Sequence, residues 1–142
     1  RYQPRSRGLG DVYKRQVEEP RDVAAAVVRH SAPQTLVVVD CLTLWLTHWT
    51  MPLGFETMDL EQKQAQALEW NAQAAMFLEA IRQSPGPVVL VGNEIGLGVI
   101  PMGREVRAFV DALGMLNQQV AQVCPRVTLM AAGLPLTLKE PC

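Results

Sequence analysis

The sequence predicts an α/β domain in which a mostly parallel sheet is flanked by helices. Three short apolar runs, at 35–39, 88–91 and 127–130, are bounded by glycine, proline or polar residues and indicate strands. The stretches between them carry apolar residues at the period of a helix. Helices that alternate with strands are typical of parallel sheets, since a crossover between parallel strands needs a connection of helix length. The chain has 142 residues, 49% of them hydrophobic, which is enough for one domain with a core.

Each element follows from a local pattern. Pro20 suits the first turn of an alanine-rich helix. Trp45 and Trp49 lie one turn apart in a short helix, where we expect them in the core or at a subunit interface. The strands are continuous apolar runs, so we expect both of their faces to be buried. The predicted order is helix 18–30, strand 35–39, helix 42–49, helix 58–83, strand 88–91, a helix that starts after residue 101 and ends at 123, strand 127–130 and a candidate strand 134–138.

Composition excludes several classes of protein. No apolar stretch approaches the roughly 20 residues that cross a bilayer, so we expect no membrane contact. Cys41, Cys124 and Cys142 form neither a paired spacing nor a metal-binding pattern, which favours a cytoplasmic protein. His30 and His48 are isolated and have no cysteine or carboxylate at metal-ligand spacing.

Residues 1–16 differ from the rest of the chain. They hold five basic residues and one acidic residue, whereas the remainder holds eight basic and thirteen acidic residues. A basic arm can bind nucleic acid. The segment lacks helical or strand periodicity and its composition changes sharply at Val17, which favours non-native sequence. We therefore place the domain at 17–142 and expect no nucleic-acid partner.

Polar residues directly follow two of the predicted strands. Asp40 comes after the run 35–39, and Asn93 and Glu94 come just after the run 88–91. Ligands of open parallel sheets bind at the carboxyl ends of the strands, so we expect these residues to line one cleft. A carboxylate in such a place can hold Mg²⁺ beside nucleotide phosphates. The alternative for Asp40 is a cap on the helix that follows it.

Two arginines near the start of the following helix are further candidates for the cleft. Arg104 and Arg107 are three residues apart and share a helix face, so together they could clamp a phosphate. Solvated helix arginines are equally common. A glycine-rich phosphate loop of the form G-x-x-x-x-G-K-[ST] does not occur in the 142 residues.

Several ordered motifs resemble one enzyme family. They are Val39–Thr47, Asn93–Pro101, Arg107–Gln118 in part, and Ala132–Lys139. The family is the bifunctional adenosylcobinamide kinase / adenosylcobinamide-phosphate guanylyltransferase of cobalamin (vitamin B12) biosynthesis, and the resemblance covers about 17–139. It implies a RecA-like sheet, a homotrimer and two reactions at one nucleotide site. ATP or GTP phosphorylates adenosylcobinamide, and GTP then passes its guanylyl group through an enzyme histidine to the phosphate, giving adenosyl-GDP-cobinamide.

The resemblance also implies roles for particular residues. Asp40 corresponds to the acidic strand-end residue at the nucleotide site, in a Mg²⁺ role. Glu18 corresponds to a glutamate that contacts the guanine nucleotide, although an acid there would also suit the start of a helix. Asn93 and Glu94 lie in the family's most recognisable motif and are expected in the active-site cleft.

In the family, the phosphate loop and the guanylylated histidine precede the position of Val17. Neither His30 nor His48 corresponds to that histidine, so the chain contains no candidate catalytic nucleophile. The resemblance therefore implies an N-terminally truncated fragment with little or no activity of its own. The alternative is a non-catalytic α/β binding or oligomerisation module.

Overall fold

The computed structural model describes residues 15–51 and 57–141. The predicted segment 1–16 thus lies almost wholly outside the described residues. The elements are α1 (Val23–His30), β1 (Val37–Asp40), α2 (Leu42–Thr50), α3 (Leu60–Arg82), β2 (Val88–Val91), α4 (Arg104–Val123), β3 (Val127–Ala131) and β4 (Leu134–Lys139). The predicted alternation of helices and strands is confirmed. Among the described residues, no helix combines the length and apolar character needed to cross a membrane.

The first helix starts later than predicted. The side chain of Asp22 caps α1 by accepting a hydrogen bond from the amide of Ala25. Before it, a carboxylate oxygen of Glu19 accepts from the amides of Arg21 and Asp22, which closes a turn. These bonds satisfy the backbone without a helix, so the predicted start at Glu18 was wrong.

The long helix α3 has a strong start signal that fixes its first turn. Asp59 accepts from the amide of Gln62, and the side chain of Gln62 accepts from the amide of Asp59. This reciprocal pair satisfies two backbone donors that the first turn leaves unpaired. The helix then runs for 23 residues and supplies buried side chains to the centre of the domain.

The described strands form two separate pairs. β1 and β2 are parallel, with Val37 opposite Val88 and Asp40 opposite Val91. β3 and β4 are antiparallel and are joined by two residues with positive φ, Ala132 (51°) and Gly133 (76°). Two such residues make the tight turn that suits the twist of a hairpin. The α/β class and the parallel pair are confirmed, and the antiparallel hairpin was not predicted.

The core lies between the four helices and one face of the β1–β2 pair. Its most deeply buried large side chains are Phe77, Leu46, Leu113, Leu116 and Val27. Alternate strand residues Val37, Val39, Val88 and Leu90 pack against this core.

The other face of β1 and β2 is open in the described part of the chain. Val38, Val89 and Val91 are 55%, 46% and 40% exposed. Because successive side chains of a strand point to opposite faces, helices that cover one face leave every second valine uncovered. The prediction that these strands are buried on both faces was therefore wrong for the residues described.

Candidate functional site at the carboxyl edge of the parallel strands

The carboxyl ends of β1 and β2 meet at one edge of the sheet. Asp40 is the last residue of β1 and pairs in register with Val91, the last residue of β2. Asn93 and Glu94 follow two and three residues later, so all three polar residues lie beyond the same edge. The expected shared edge is present, and the roles of these residues remain predictions.

Two helices hold the backbone of Asn93 in place. The amide of Asn93 donates to Oγ1 of Thr43 in the first turn of α2, at 3.1 Å. The carbonyl oxygen of Asn93 accepts from Nδ2 of Asn117 in α4, at 3.2 Å. Neither Thr43 nor Asn117 was predicted as a site residue from the sequence. The available signal was that both lie inside the stretches that carry the family resemblance.

Asp40 presents an exposed carboxylate at this edge. Helix α2 begins after Cys41, whose side chain makes no capping bond. The carboxylate of Asp40 has no hydrogen-bond partner among residues 15–51 and 57–141. The capping role considered for Asp40 is thus not what the structure forms, and the exposed side chain is available to a ligand.

Glu94 uses one carboxylate oxygen locally. Oε1 accepts from the amide of Gly96 at 2.8 Å, which closes a tight turn directly after the strand end. A Cβ at Gly96 would lie 2.9 Å from this oxygen, so a glycine suits the turn. The second carboxylate oxygen makes no hydrogen bond within the described part of the chain and remains able to bind a cation or a donor.

The two arginines occupy different situations. Nη1 of Arg107 donates to the carbonyl oxygens of Pro101 at 3.1 Å and Met102 at 2.8 Å, so this guanidinium holds the loop that precedes α4. Arg104 is the first residue of α4 and is exposed. Only Nη1 of Arg107 is used by the backbone, and a guanidinium carries further donors, so the two-arginine clamp remains a prediction.

Glu18 is exposed and lies in the segment before α1. This segment is fixed through Arg21, whose carbonyl oxygen accepts from the indole nitrogens of Trp45 at 2.9 Å and Trp49 at 3.1 Å. The guanidinium of Arg21 also lies 4.2 Å from the ring centroid of Trp49. Both tryptophans are buried, as predicted for core residues. Among the described residues, Glu18 makes no hydrogen bond to the residues at the edge that carries Asp40.

The sequence as a whole matches one known family. A family model described as cobinamide kinase / cobinamide phosphate guanyltransferase matches residues 11–138. The chain belongs to this family. The match covers most of the 142 residues and confirms the resemblance. It begins inside the segment 1–16, so the boundary at Val17 remains a prediction.

Curated relatives carry names from the same pathway. The bifunctional adenosylcobalamin biosynthesis protein CobP of Pseudomonas aeruginosa is 38% identical over 125 residues, 88% of this chain and 65% of the relative. The proteins named CobU of Escherichia coli and Salmonella typhimurium are 33% and 31% identical, with 75% and 84% of this chain and 60% and 66% of the relative covered. The matches thus span less than two thirds of the length of each of these relatives.

The carboxyl edge offers carboxylate and amide oxygens, which are ligands that Mg²⁺ accepts. Asp40 and Glu94 supply carboxylates and Asn93 supplies a side-chain amide. Within the described residues, no group of three or more histidine, cysteine or acidic side chains could hold a metal ion by itself. Mg²⁺ usually binds through one or two carboxylates and completes its shell with water and substrate phosphates. The residues present therefore fit Mg²⁺ that arrives with a nucleotide.

Proposed function

We propose that this chain carries part of the nucleotide-phosphate site of an adenosylcobinamide kinase and adenosylcobinamide-phosphate guanylyltransferase of cobalamin biosynthesis. The observation that carries the proposal is the register of β1 and β2, which puts Asp40 and the Asn93–Glu94 pair at one edge. Family membership supports the substrate class. GTP, ATP and Mg²⁺ are the expected ligands, and the homotrimer and the cytoplasmic location implied by the resemblance belong to the same proposal.

The two proposed reactions transfer a phosphoryl group and a guanylyl group from a nucleotide, so one nucleotide-phosphate site can serve both. Asp40 would hold Mg²⁺ directly or through water, while Asn93 and Glu94 would line the cleft beside the phosphates. Mg²⁺, when bound, would neutralise charge that develops on the transferred group. The open carboxylate of Asp40 and the second oxygen of Glu94 supply negative charge where a cation is needed.

The guanylyl step needs a histidine nucleophile at this edge. His30 ends α1, which leads into the opposite end of β1, and His48 lies in the last turn of α2. Among the described residues no histidine lies at the carboxyl edge, and the sequence carries no phosphate loop. We propose that this chain transfers no guanylyl group. Incubation with radiolabelled GTP and Mg²⁺ tests this, since stable labelling of either histidine would contradict it.

Titration calorimetry with GTP and Mg²⁺ tests the nucleotide site. We expect weak, Mg²⁺-dependent binding that Asp40→Asn reduces several-fold. Glu69→Gln is the matched control, since it also removes one exposed negative charge, but from α3. Equal affinity with and without Mg²⁺, or equal affinity of both variants, would contradict the proposed role of Asp40.

The open face of β1 and β2 favours a second candidate, a binding or oligomerisation module without nucleotide chemistry. Val38, Val89 and Val91 form an exposed apolar strip there, and such strips commonly mark interfaces. A chain that assembles into a trimer in light scattering but gives no heat with GTP would favour this candidate. Mg²⁺-dependent heat with GTP would favour the enzyme site.

A further inference from the structure

The backbone of Asn93 is fixed from two sides by side chains of α2 and α4. Oγ1 of Thr43 accepts a hydrogen bond from the amide of Asn93, and Nδ2 of Asn117 donates one to the carbonyl oxygen of the same residue. Both side chains are half-buried, whereas Asn93 itself is exposed. The peptide groups on either side of the Asn93 Cα are therefore set by α2 and α4 rather than by β2 alone.

The packing around the preceding glycine agrees with this arrangement. A Cβ at Gly92 would lie 3.6 Å from Oδ1 of Asn117 and 3.6 Å from Cδ1 of Leu42. The same two helices thus adjoin residues 92 and 93. Beyond them, Glu94 closes its own turn onto the amide of Gly96, so the whole strand end from Gly92 to Gly96 has a defined path.

The bond from Thr43 also joins the two halves of the site. Thr43 lies three residues after Asp40, in the first turn of α2. A hydrogen bond from this turn to Asn93 fixes the end of β2 relative to the carboxylate that ends β1. Side chains that bind a ligand need support of this kind, because displacing them by even an ångström strongly reduces ligand affinity and the rate of group transfer.

We infer that Thr43 and Asn117 are positioning residues, which hold the Asn93–Glu94 strand end at the correct place beside Asp40 for a Mg²⁺–nucleotide to bind. This inference rests on the proposed function and adds two residues to it. Thr43 acts through its hydroxyl oxygen as an acceptor. Asn117 acts through its side-chain amide as a donor.

The first test replaces the hydroxyl of Thr43 at constant shape. Thr43→Val removes the acceptor, and Thr43→Ser keeps it. We expect Thr43→Val to raise the dissociation constant for GTP with Mg²⁺ by about five- to tenfold, the effect of one lost hydrogen bond. Thr43→Ser should stay within about twofold of the unaltered chain by the same reasoning. The control is Thr50→Val, since among the described residues the hydroxyl of Thr50 bonds only to the Leu46 carbonyl of its own helix.

The second test removes the donor on the other side. Asn117→Asp keeps the size of the side chain but cannot donate to the carbonyl oxygen of Asn93. Gln118→Glu is the control, because it adds the same charge at the neighbouring, exposed position of α4. We expect Asn117→Asp to weaken GTP binding with Mg²⁺ about as much as Thr43→Val, and Gln118→Glu to leave it unchanged.

Two further readouts separate positioning from a general structural role. Amide hydrogen exchange at Asn93 should accelerate in Thr43→Val and not in Thr50→Val, and the thermal midpoints of the two variants should be similar. The double variant Thr43→Val with Asn117→Asp should lose less affinity than the two single losses combined, because both bonds hold one residue.

The binding measurements test the positioning role separately from the proposed function. Equal GTP affinity in Thr43→Val and the unaltered chain, or equal weakening by Thr43→Val and Thr43→Ser, would overturn the positioning role alone. A failure of the unaltered chain to bind GTP with Mg²⁺ would overturn the proposed function, and the positioning role with it.

Discussion

Among the described glycines, Gly86 is the one at which an added methyl group should lower the free energy of unfolding most. It lies between α3 and β2, where the chain passes close to the connection between α1 and β1. A Cβ at Gly86 would lie 1.9 Å from the carbonyl oxygen of Ala32, 2.8 Å from its carbonyl carbon and 3.0 Å from the carbonyl oxygen of Thr35. All three atoms belong to the backbone, so no side-chain rotation can relieve the contact.

Gly86→Ala therefore requires that one of the two connections move by about an ångström, since a Cβ needs more than 3 Å from its neighbours. The connections are joined by the amide of Val37, which donates to the carbonyl oxygen of Pro87, and by the hydroxyls of Ser31 and Ser84. Overpacking of this kind usually costs about 1–3 kcal/mol, and a backbone neighbour favours the upper end. With a urea dependence of about 2 kcal/mol per molar, the midpoint should fall by roughly 1.5 M.

Urea unfolding followed by circular dichroism measures this shift. Gly114→Ala is the matched control, because nothing lies within 4 Å of a Cβ at Gly114 inside α4. This control should stabilise the chain by about 0.5–1 kcal/mol, the advantage of alanine over glycine in a helix. An unchanged or raised midpoint for Gly86→Ala would refute the close approach of the two connections.

Three further perturbations have expected outcomes. Phe77→Ala should destabilise the fold by about 3–5 kcal/mol in thermal or urea unfolding, since Phe77 is fully buried and its ring centroid lies 4.7 Å from that of Trp45. Asp59→Ala should cost about 1 kcal/mol and reduce the helical signal, whereas Asp59→Ser should retain the cap on α3. Burial raises the pKa of the Cys124 thiol, although Lys139 partly offsets this, so alkylation of Cys124 should need a higher pH in the native state than in urea. Because unfolding returns that thiol to its lower ordinary pKa, native stability should fall as the pH rises above the ordinary value.

Local patterns accounted for most of the elements. The strands β1, β2 and β3 were predictable because short, continuous apolar runs are bounded by turn or polar residues. The helices α3 and α4 were predictable because burial of one helix face imposes a repeat of 3.6 residues. The start of α1 was not predictable in the same way. Asp22 and Glu18 are both acceptable near a helix start, and the capping bond to Ala25 decides between them. The parallel or antiparallel sense of β4 likewise depends on two turn residues rather than on its own pattern.

Some residues of the candidate site could likewise be selected from the sequence and others could not. Asp40, Asn93 and Glu94 could be selected from the sequence, because polar residues that interrupt an apolar strand are conspicuous. Thr43 and Asn117 lie in the stretches that carry the family resemblance, but no local pattern singles them out there, since a threonine and an asparagine inside helices resemble solvated or core-edge residues. Their contacts with Asn93 span 50 and 24 residues of chain, and no local period encodes such a distance.

The sequence by itself determined the α/β class, the strand ends that carry acidic groups and the enzyme family, because these depend on residue type and local order. Only the tertiary structure decided that, within the described residues, one face of the parallel pair is open, that Arg107 binds the loop before α4, and that α2 and α4 hold Asn93 between them. These features arise when separate helices pack on one face of a sheet, and packing fixes distances between residues that no local pattern connects.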